Sequence, residues 1–337
     1  MSMIRAGVFH GPRDFRVESR ERPKTGLDGI LVEVAACGIC GTDMHVYRHG
    51  GHISPGMVIG HEFSGRIVEV GAQVRGLEKG MRVTVNPMIN GIGNGPAPGA
   101  FADYVRVDRA VPGQNVYPLP EVLSDEEGAL VEPFAVGLHA ASRVDPKPTD
   151  RVAILGAGPI GLCTLAALRT YGIGDIVMTD VSPARLRLAA ELGARQSFNV
   201  STGELREFLI SHFGESPIPF GRPAADVDLI VDCAGLPQTL TDAIDCVRFG
   251  GKVLVVAAHL GEIKLNPAAL LTHEARIYGS WSYDREFERA IELLSQRVID
   301  LRPLISHRFP LESLPRAFEV QANAAESVKV MVNVHSR

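Results

Sequence analysis

Arg151-Val152-Ala153-Ile154-Leu155-Gly156-Ala157-Gly158-Pro159-Ile160-Gly161 is a short apolar run feeding a glycine-rich turn, and an apolar helix, Leu162 to Thr170, follows it. Strand, G-x-G-x-x-G and helix in that order spell a dinucleotide cradle. Gly156 allows the tight turn. Gly158 lets the backbone approach a pyrophosphate, and Gly161 lets helix and strand pack closely. Pro159 and Ile160 belong to the same cradle, at a helix start whose free N–H groups favour phosphate charge. The next strand, Asp175 to Asp180, ends in an acid about 20 residues on, where a carboxylate binds the ribose 2′-hydroxyl. That carboxylate would repel a 2′-phosphate, which favours NAD over NADP. A glycine turn with Asp180 as a mere helix cap is the competing reading. The full register of strand, glycines, helix, strand and acid argues against it.

Downstream, strands keep alternating with helices. Ser182-Pro183 caps and starts a helix ending near Gly193. Asp228–Asp232, Lys252–Ala257 and Ala275–Ser280 read as further strands. Apolar strands separated by helices imply a parallel, doubly wound sheet. Gly214 to Ala225, with three prolines, reads as a surface loop. Asp284 can cap a helix carrying Phe287, Ile291 and Leu294 on one face. A helix over Leu311–Asn323 and a strand over Val328–Val334 close the chain.

Upstream the texture differs. Residues 1 to about 110 show short alternating runs broken by glycine and proline, such as Ile30–Val34, Gly65–Val70, Met81–Val85 and Phe101–Val105. That pattern predicts a β-barrel-like domain. Ser124 before Asp125-Glu126-Glu127 is an N-cap with acids in the first turn, and Pro133 fits the start of a second helix, Phe134 to Ser142. Val144-Asp145-Pro146-Lys147-Pro148-Thr149-Asp150 reads as a connector between domains. The expected division is a catalytic domain over 1–145, a nucleotide domain over 146–283, and a segment over 284–337 returning to the first.

At 337 residues two domains are the expectation. The chain is 45% hydrophobic and 22% charged, with net charge −5, an ordinary globular balance that argues against a nucleic-acid partner. No run approaches the ~18 apolar residues of a membrane span. The opening Met1-Ser2-Met3-Ile4-Arg5 has no apolar signal-peptide core. Five cysteines form an odd, sparse set, which fits a reducing cytoplasm better than a disulfide framework.

The chemistry-bearing text is Cys37-Gly38-Ile39-Cys40-Gly41-Thr42-Asp43-Met44-His45 with Gly60-His61-Glu62. Thiol, imidazole and carboxylate are all zinc ligand types. Residue types alone leave two readings open: a metal site, or buried thiols beside a polar turn. No second CxxC exists to complete a zinc knuckle.

Those segments, with Val131-Glu132-Pro133 and the glycine turn, resemble the zinc-dependent medium-chain dehydrogenase/reductase family, and more narrowly its sorbitol, threonine and butanediol dehydrogenase branch. The resemblance implies a GroES-like β-barrel catalytic domain with a Rossmann domain. It implies one catalytic zinc held by Cys40 and His61, with Glu62 and Glu132 as the acids at the metal, and Cys37 as a structural neighbour. It implies that Asp43 orients His61, that Thr42 first takes the substrate proton, and that His45 ends the relay. Arg185 matches a position near the adenosine ribose; a solvated helix charge is its alternative. His49, His52, Tyr47 and Tyr283 could line the pocket, but for each a loop or packing role is the preferred reading. The family often carries four cysteines for a structural zinc after the strand ending near Val85. The corresponding segment here, Asn86 to Ala100, has none, so no structural zinc is expected.

The implied activity is NAD-dependent oxidation of a secondary alcohol, a polyol, diol or related small hydroxylated compound, to a ketone. The zinc acts on the alcohol oxygen and hydride passes to nicotinamide. Two rivals stand beside it: a zinc-free quinone or enoyl reductase on the same fold, and a non-catalytic nucleotide-binding protein. The strand near Ala275–Ser280 is expected at a sheet edge, which invites pairing into a homodimer or homotetramer.

Overall fold

The computed structural model describes residues 2–51, 53–219, 221–259 and 261–335. The chain forms two compact units. One comprises Met1–Glu132 and Phe287–Arg337, the other Pro133–Glu286. The division therefore falls within helix Val131–Ser142, some residues before the proline-rich connector.

The first unit is mostly antiparallel β. Its strands are β1 (Met3–Gly11), β2 (Asp14–Glu21), β3 (Ile30–Gly38), β4 (Glu62–Val70), β5 (Arg82–Val85), β6 (Tyr104–Val107) and β7 (Val116–Pro118). In the second unit lie β8 (Arg151–Leu155), β9 (Asp175–Asp180), β10 (Gln196–Asn199), the short pair β11 (Glu215–Ser216) and β12 (Ala224–Ala225), β13 (Leu229–Asp232), β14 (Lys252–Val255) and β15 (Arg276–Gly279). The chain then returns to the first unit with β16 (Ile305–Pro310) and β17 (Lys329–Asn333).

A sheet of order β16-β17-β3-β4-β5-β7, with β6 also on β3, frames the first unit, and β1-β2 form a separate hairpin. Alternating side chains of β1, β3 and β4 bury Val8, Ile30, Val32, Val34 and Ile67 in one core. That core is capped by aromatic rings: Phe15 stacks on Phe318 with centroids 4.5 Å apart, and Tyr47 packs on Phe318 at 5.2 Å. Tyr47 is thus a core residue, not a pocket wall. His49 packs against His45, ring centroids 5.1 Å apart; His52 lies outside the described residues. The hairpin and helix Gly41–His49 are elements that the sequence reading leaves unassigned. Segment 86–100 folds as a compact loop pinned by amides. Asn115 Nδ2 donates to Asn90 Oδ1 at 2.9 Å, and Asn90 donates to the Asp108 carbonyl at 2.8 Å.

The second unit is a six-stranded parallel sheet of order β10-β9-β8-β13-β14-β15. The strands are apolar because both faces are covered: Ala153, Leu155, Val177, Ile230 and Val253 meet Leu209, Leu240 and Ile244. The order reverses between β8 and β13. Ser182 caps its helix as expected, accepting from the Arg185 amide. Segment 214–225, expected to be all loop, carries the short β11-β12 pair.

Candidate active site

In the first unit, Cys40 is the N-cap of helix Gly41–His49, with extended backbone. Its amide donates to Asp43 Oδ2 at 2.9 Å, so Asp43 closes the first turn and is held within it. Asp43 is buried, and its other oxygen, Oδ1, lies 3.5 Å from His61 Nδ1. Neither atom has a hydrogen-bond partner. Burial opposes charge on His61, but Asp43, and after it Cys40, win and hold the imidazole well above its ordinary range. The Cys40 thiol and the His61 ring are therefore neighbours, with Asp43 at the Nδ1 edge of the ring. Thr42 sits 3.8 Å from Cys40 Sγ and is exposed; His45, one helical turn on, is half-buried.

Glu62 begins β4 opposite Gly38 of β3. A Cβ on Gly38 would lie 2.2 Å from Glu62 Oε2, so glycine there makes room for the carboxylate. Both Glu62 oxygens accept from Lys329 Nζ, at 2.6 and 2.7 Å, and the ammonium also donates to the Ile39 carbonyl at 3.1 Å. Lys329 and Glu62 are each buried. This lysine escaped the sequence reading. Its only signal is a charge opening an otherwise apolar strand, Lys329-Val330-Met331-Val332.

Burial pushes the Cys37 thiol far up, and the charges of Asp43, Glu62 and Glu132 push the same way against Lys329. Cys37 stays a protonated core thiol. Glu132, buried at the start of its helix, is thereby placed in the same electrostatic neighbourhood. Among the described residues no three His, Cys, Asp or Glu side chains already converge as a metal cage. The structure brings Cys40, His61 and Asp43 together and sets Glu62 against Lys329 instead of leaving it open. A soft thiol facing an imidazole, whose second nitrogen has an unpaired carboxylate oxygen beside it, nevertheless fits zinc: a metal-binding imidazole takes a carboxylate on its other nitrogen.

In the second unit, Gly156 (φ +99°) turns the chain out of β8. Gly158 is the N-cap of helix Pro159–Thr170, with Pro159 at its first turn. A Cβ on Gly161 would fall 1.9 Å from the Gly156 carbonyl oxygen, so only glycine lets this helix and turn touch. Above Gly158 the space is open, the nearest atom being Arg185 Nη1 at 3.8 Å from where a Cβ would sit. This open backbone at a helix N-terminus fits a pyrophosphate. Asp180 ends β9 and braces the turn, accepting from Ala157 N and Ser182 N at 2.8 Å each. Burial lowers the Arg185 guanidinium, with Asp180 partly opposing, so the two charges share one corner.

The same architecture recurs in known proteins. Residues 26–121 match the alcohol dehydrogenase GroES-like domain family and residues 159–296 the zinc-binding dehydrogenase family. A sorbitol dehydrogenase of Bacillus subtilis (strain 168) is 32% identical over 354 residues, covering 98% of this chain and 97% of its own. The crystal structure of 2R,3R-butanediol dehydrogenase from Bacillus subtilis superposes with TM-score 0.87 at 29% identity, over 98% of this chain and 100% of that one. A zinc-binding dehydrogenase from Sinorhizobium meliloti 1021, solved bound to NADP, gives TM-score 0.86 at 30% identity, over 99% and 100% of the two chains. The chain belongs to the zinc-dependent medium-chain alcohol dehydrogenase family, in its sorbitol dehydrogenase-like branch.

Proposed function

We propose that this chain is an NAD-dependent dehydrogenase that oxidises a secondary alcohol of a polyol, diol or related small compound to a ketone, reversibly. The Cys40–His61 pair backed by Asp43 carries the reading. Cys40 and His61 would hold one zinc ion, with Glu62 and Glu132 as the nearby carboxylates, and it would supply Lewis acidity to the substrate oxygen. Asp43 Oδ1, 3.5 Å from His61 Nδ1, would accept from that nitrogen once a metal is held and so fix which ring nitrogen is left for it. Lys329 holds Glu62 behind it. Thr42 takes the substrate proton and His45, a turn along the same helix face, passes it outward. Asn86 to Ala100 has no cysteine, so we assign no structural zinc.

On the cofactor side, Gly156, Gly158, Pro159, Ile160 and Gly161 seat the pyrophosphate. Asp180 takes the adenosine ribose and selects NAD against NADP by charge. Arg185 stands beside that ribose. NADP in the Sinorhizobium relative makes the nucleotide preference a measurement worth making directly.

Three assignments accompany this reading. Among the described residues β15 is the edge of its sheet, and Trp281, two residues past its end, is 78% exposed, which suits pairing of that edge with a second copy. We assign a homodimer or homotetramer, to be read by light scattering. No helix among the described residues is long and apolar enough to cross a membrane. Free cysteines throughout suit a cytoplasmic setting.

The test is an NAD-reduction screen over polyols, diols, hydroxy amino acids and sugar derivatives, with and without a chelator, on protein of measured zinc content. Full activity after complete zinc removal would instead favour a zinc-free reductase on this fold. Failure with the whole panel would favour a non-catalytic nucleotide binder.

A further inference from the structure

At the carboxyl end of β13, Asp232 is completely buried. Its Oδ1 accepts from the backbone amides of Ala234 and Gly235 at 3.0 and 3.2 Å, with the Thr239 hydroxyl 3.0 Å away. Its Oδ2 lies 2.9 Å from His259 Nε2. An ionised carboxylate only accepts, so Nε2 carries the proton and Nδ1 of the neutral ring is left with a lone pair. His259 is 10% exposed in its side chain, and Nδ1 is buried with no partner. A buried acceptor left unpaired keeps its full desolvation penalty, and groups left so are uncommon. Neither the metal site nor the glycine turn uses this imidazole.

Its position says what it faces. In register, Asp232 stands between Leu155, the last residue before the glycine turn, and Val255 of β14. A Cβ on Gly156 would lie 2.9 Å from the Ala234 amide, and one on Gly235 would lie 2.9 Å from the Ala258 carbonyl. The turns after β8, β13 and β14 therefore sit side by side, at the point where strand order reverses. Ligands of open α/β sheets bind there, beyond the carboxyl ends of the strands. With the pyrophosphate on the glycine turn and the adenosine ribose at Asp180 on β9, the other half of a dinucleotide runs over β13 and β14. Residues 256–259, which carry the ring, form no helix or strand.

We propose that His259, with its tautomer set by Asp232, is a binding residue for the nicotinamide half of the cofactor, accepting a hydrogen bond at Nδ1 from a ribose hydroxyl or the carboxamide N–H. This rests on the dinucleotide reading above. The test is calorimetric titration of NADH, ADP-ribose and AMP into the full-length protein, comparing wild type with His259→Leu and His259→Gln. Loss of one buried hydrogen bond weakens NADH about ten-fold in His259→Leu, AMP binds unchanged, and glutamine, whose amide oxygen accepts, recovers part of the loss. ADP-ribose weakened together with NADH assigns the ribose hydroxyl; ADP-ribose unchanged assigns the carboxamide. NADH affinity unaltered in His259→Leu, or AMP weakened as much as NADH, overturns the proposal. Nitrogen-15 NMR of histidine-labelled wild type needs no variant: the His259 Nδ1 resonance moves with NADH and not with AMP, and a resonance unmoved by NADH refutes it. Wild type that binds AMP and not NADH would sink the dinucleotide reading itself, a result distinct from either failure.

Discussion

Lys329→Met would leave the buried Glu62 carboxylate without the cation that now donates to both its oxygens at 2.6 and 2.7 Å. Removing one member of a buried pair costs ~3–5 kcal/mol, more than the pair is worth, because the remaining charge keeps its desolvation penalty. Side-chain exposure is 1% for Lys329 and 0% for Glu62, so solvent screens little of it. The Ile39 carbonyl also loses a donor at 3.1 Å, worth about 1 kcal/mol. We expect about 4 kcal/mol of local stability to be lost. Hydrogen–deuterium exchange of β3, β4 and β17 amides measures the opening free energy of that sheet without requiring the two units to unfold together. The double variant Glu62→Met/Lys329→Met removes both charges of the pair and should recover at least about 2 kcal/mol of the loss. A single variant costing under about 1 kcal/mol would mean that solvent reaches the pair. A double variant as unstable as the single would mean that the penalty is packing, not charge. Either result refutes the account of how Glu62 is held.

Gly161→Val puts a side chain 1.9 Å from the Gly156 carbonyl before it has even branched; NADH affinity measured by fluorescence should fall by more than about ten-fold while zinc content is unchanged. Cys40→Ser should lose stoichiometric zinc by elemental analysis and lose alcohol oxidation, yet keep wild-type NADH affinity, because the cofactor residues belong to the other unit. Glu127 gives a pH signature. Burial would raise its carboxyl, but Arg297 and the Ser124 amide outweigh that and depress it. A depressed folded value contributes stability that is complete above the unfolded value and fades as pH falls through the folded one. Glu127→Gln should therefore cost about 1–2 kcal/mol at neutral pH, and its melting curve should approach wild type only as pH falls below the ordinary glutamate range and through the depressed folded value; a gap that does not narrow in acid would contradict the ion-pair account.

The nucleotide unit was legible because its signals are local. Buried parallel strands read as continuous apolar runs, the glycines and Ser182 act within about one turn of their sequence neighbours, and Asp180 ends the next strand at a regular interval after the glycines. The first unit hides more. β2, Asp-Phe-Arg-Val-Glu-Ser-Arg-Glu, buries only Phe15 outright, so its alternation is swamped by charge. Helix Gly41–His49 was masked by its own chemistry, since glycine, histidine and aspartate read as a ligand-bearing turn while Met44, Val46 and Tyr47 pointed into the core. Candidate ligands Cys40 and His61 were visible as residue types in motifs, and Asp43 as the acid beside them. What no motif carries is the state of each group, because that depends on partners far away in the chain. Glu62 and Lys329 are 267 residues apart, and without the lysine the glutamate reads as a free carboxylate ready for a metal. The Asp232–His259 pair is hidden in the same way. Its aspartate looks like a strand end and its histidine like a loop residue, and only the fold, with β13 between β8 and β14, brings the two together. Ion pairs and tautomers are therefore set by topology, and a sequence supplies candidate groups whose charge and direction the fold then decides.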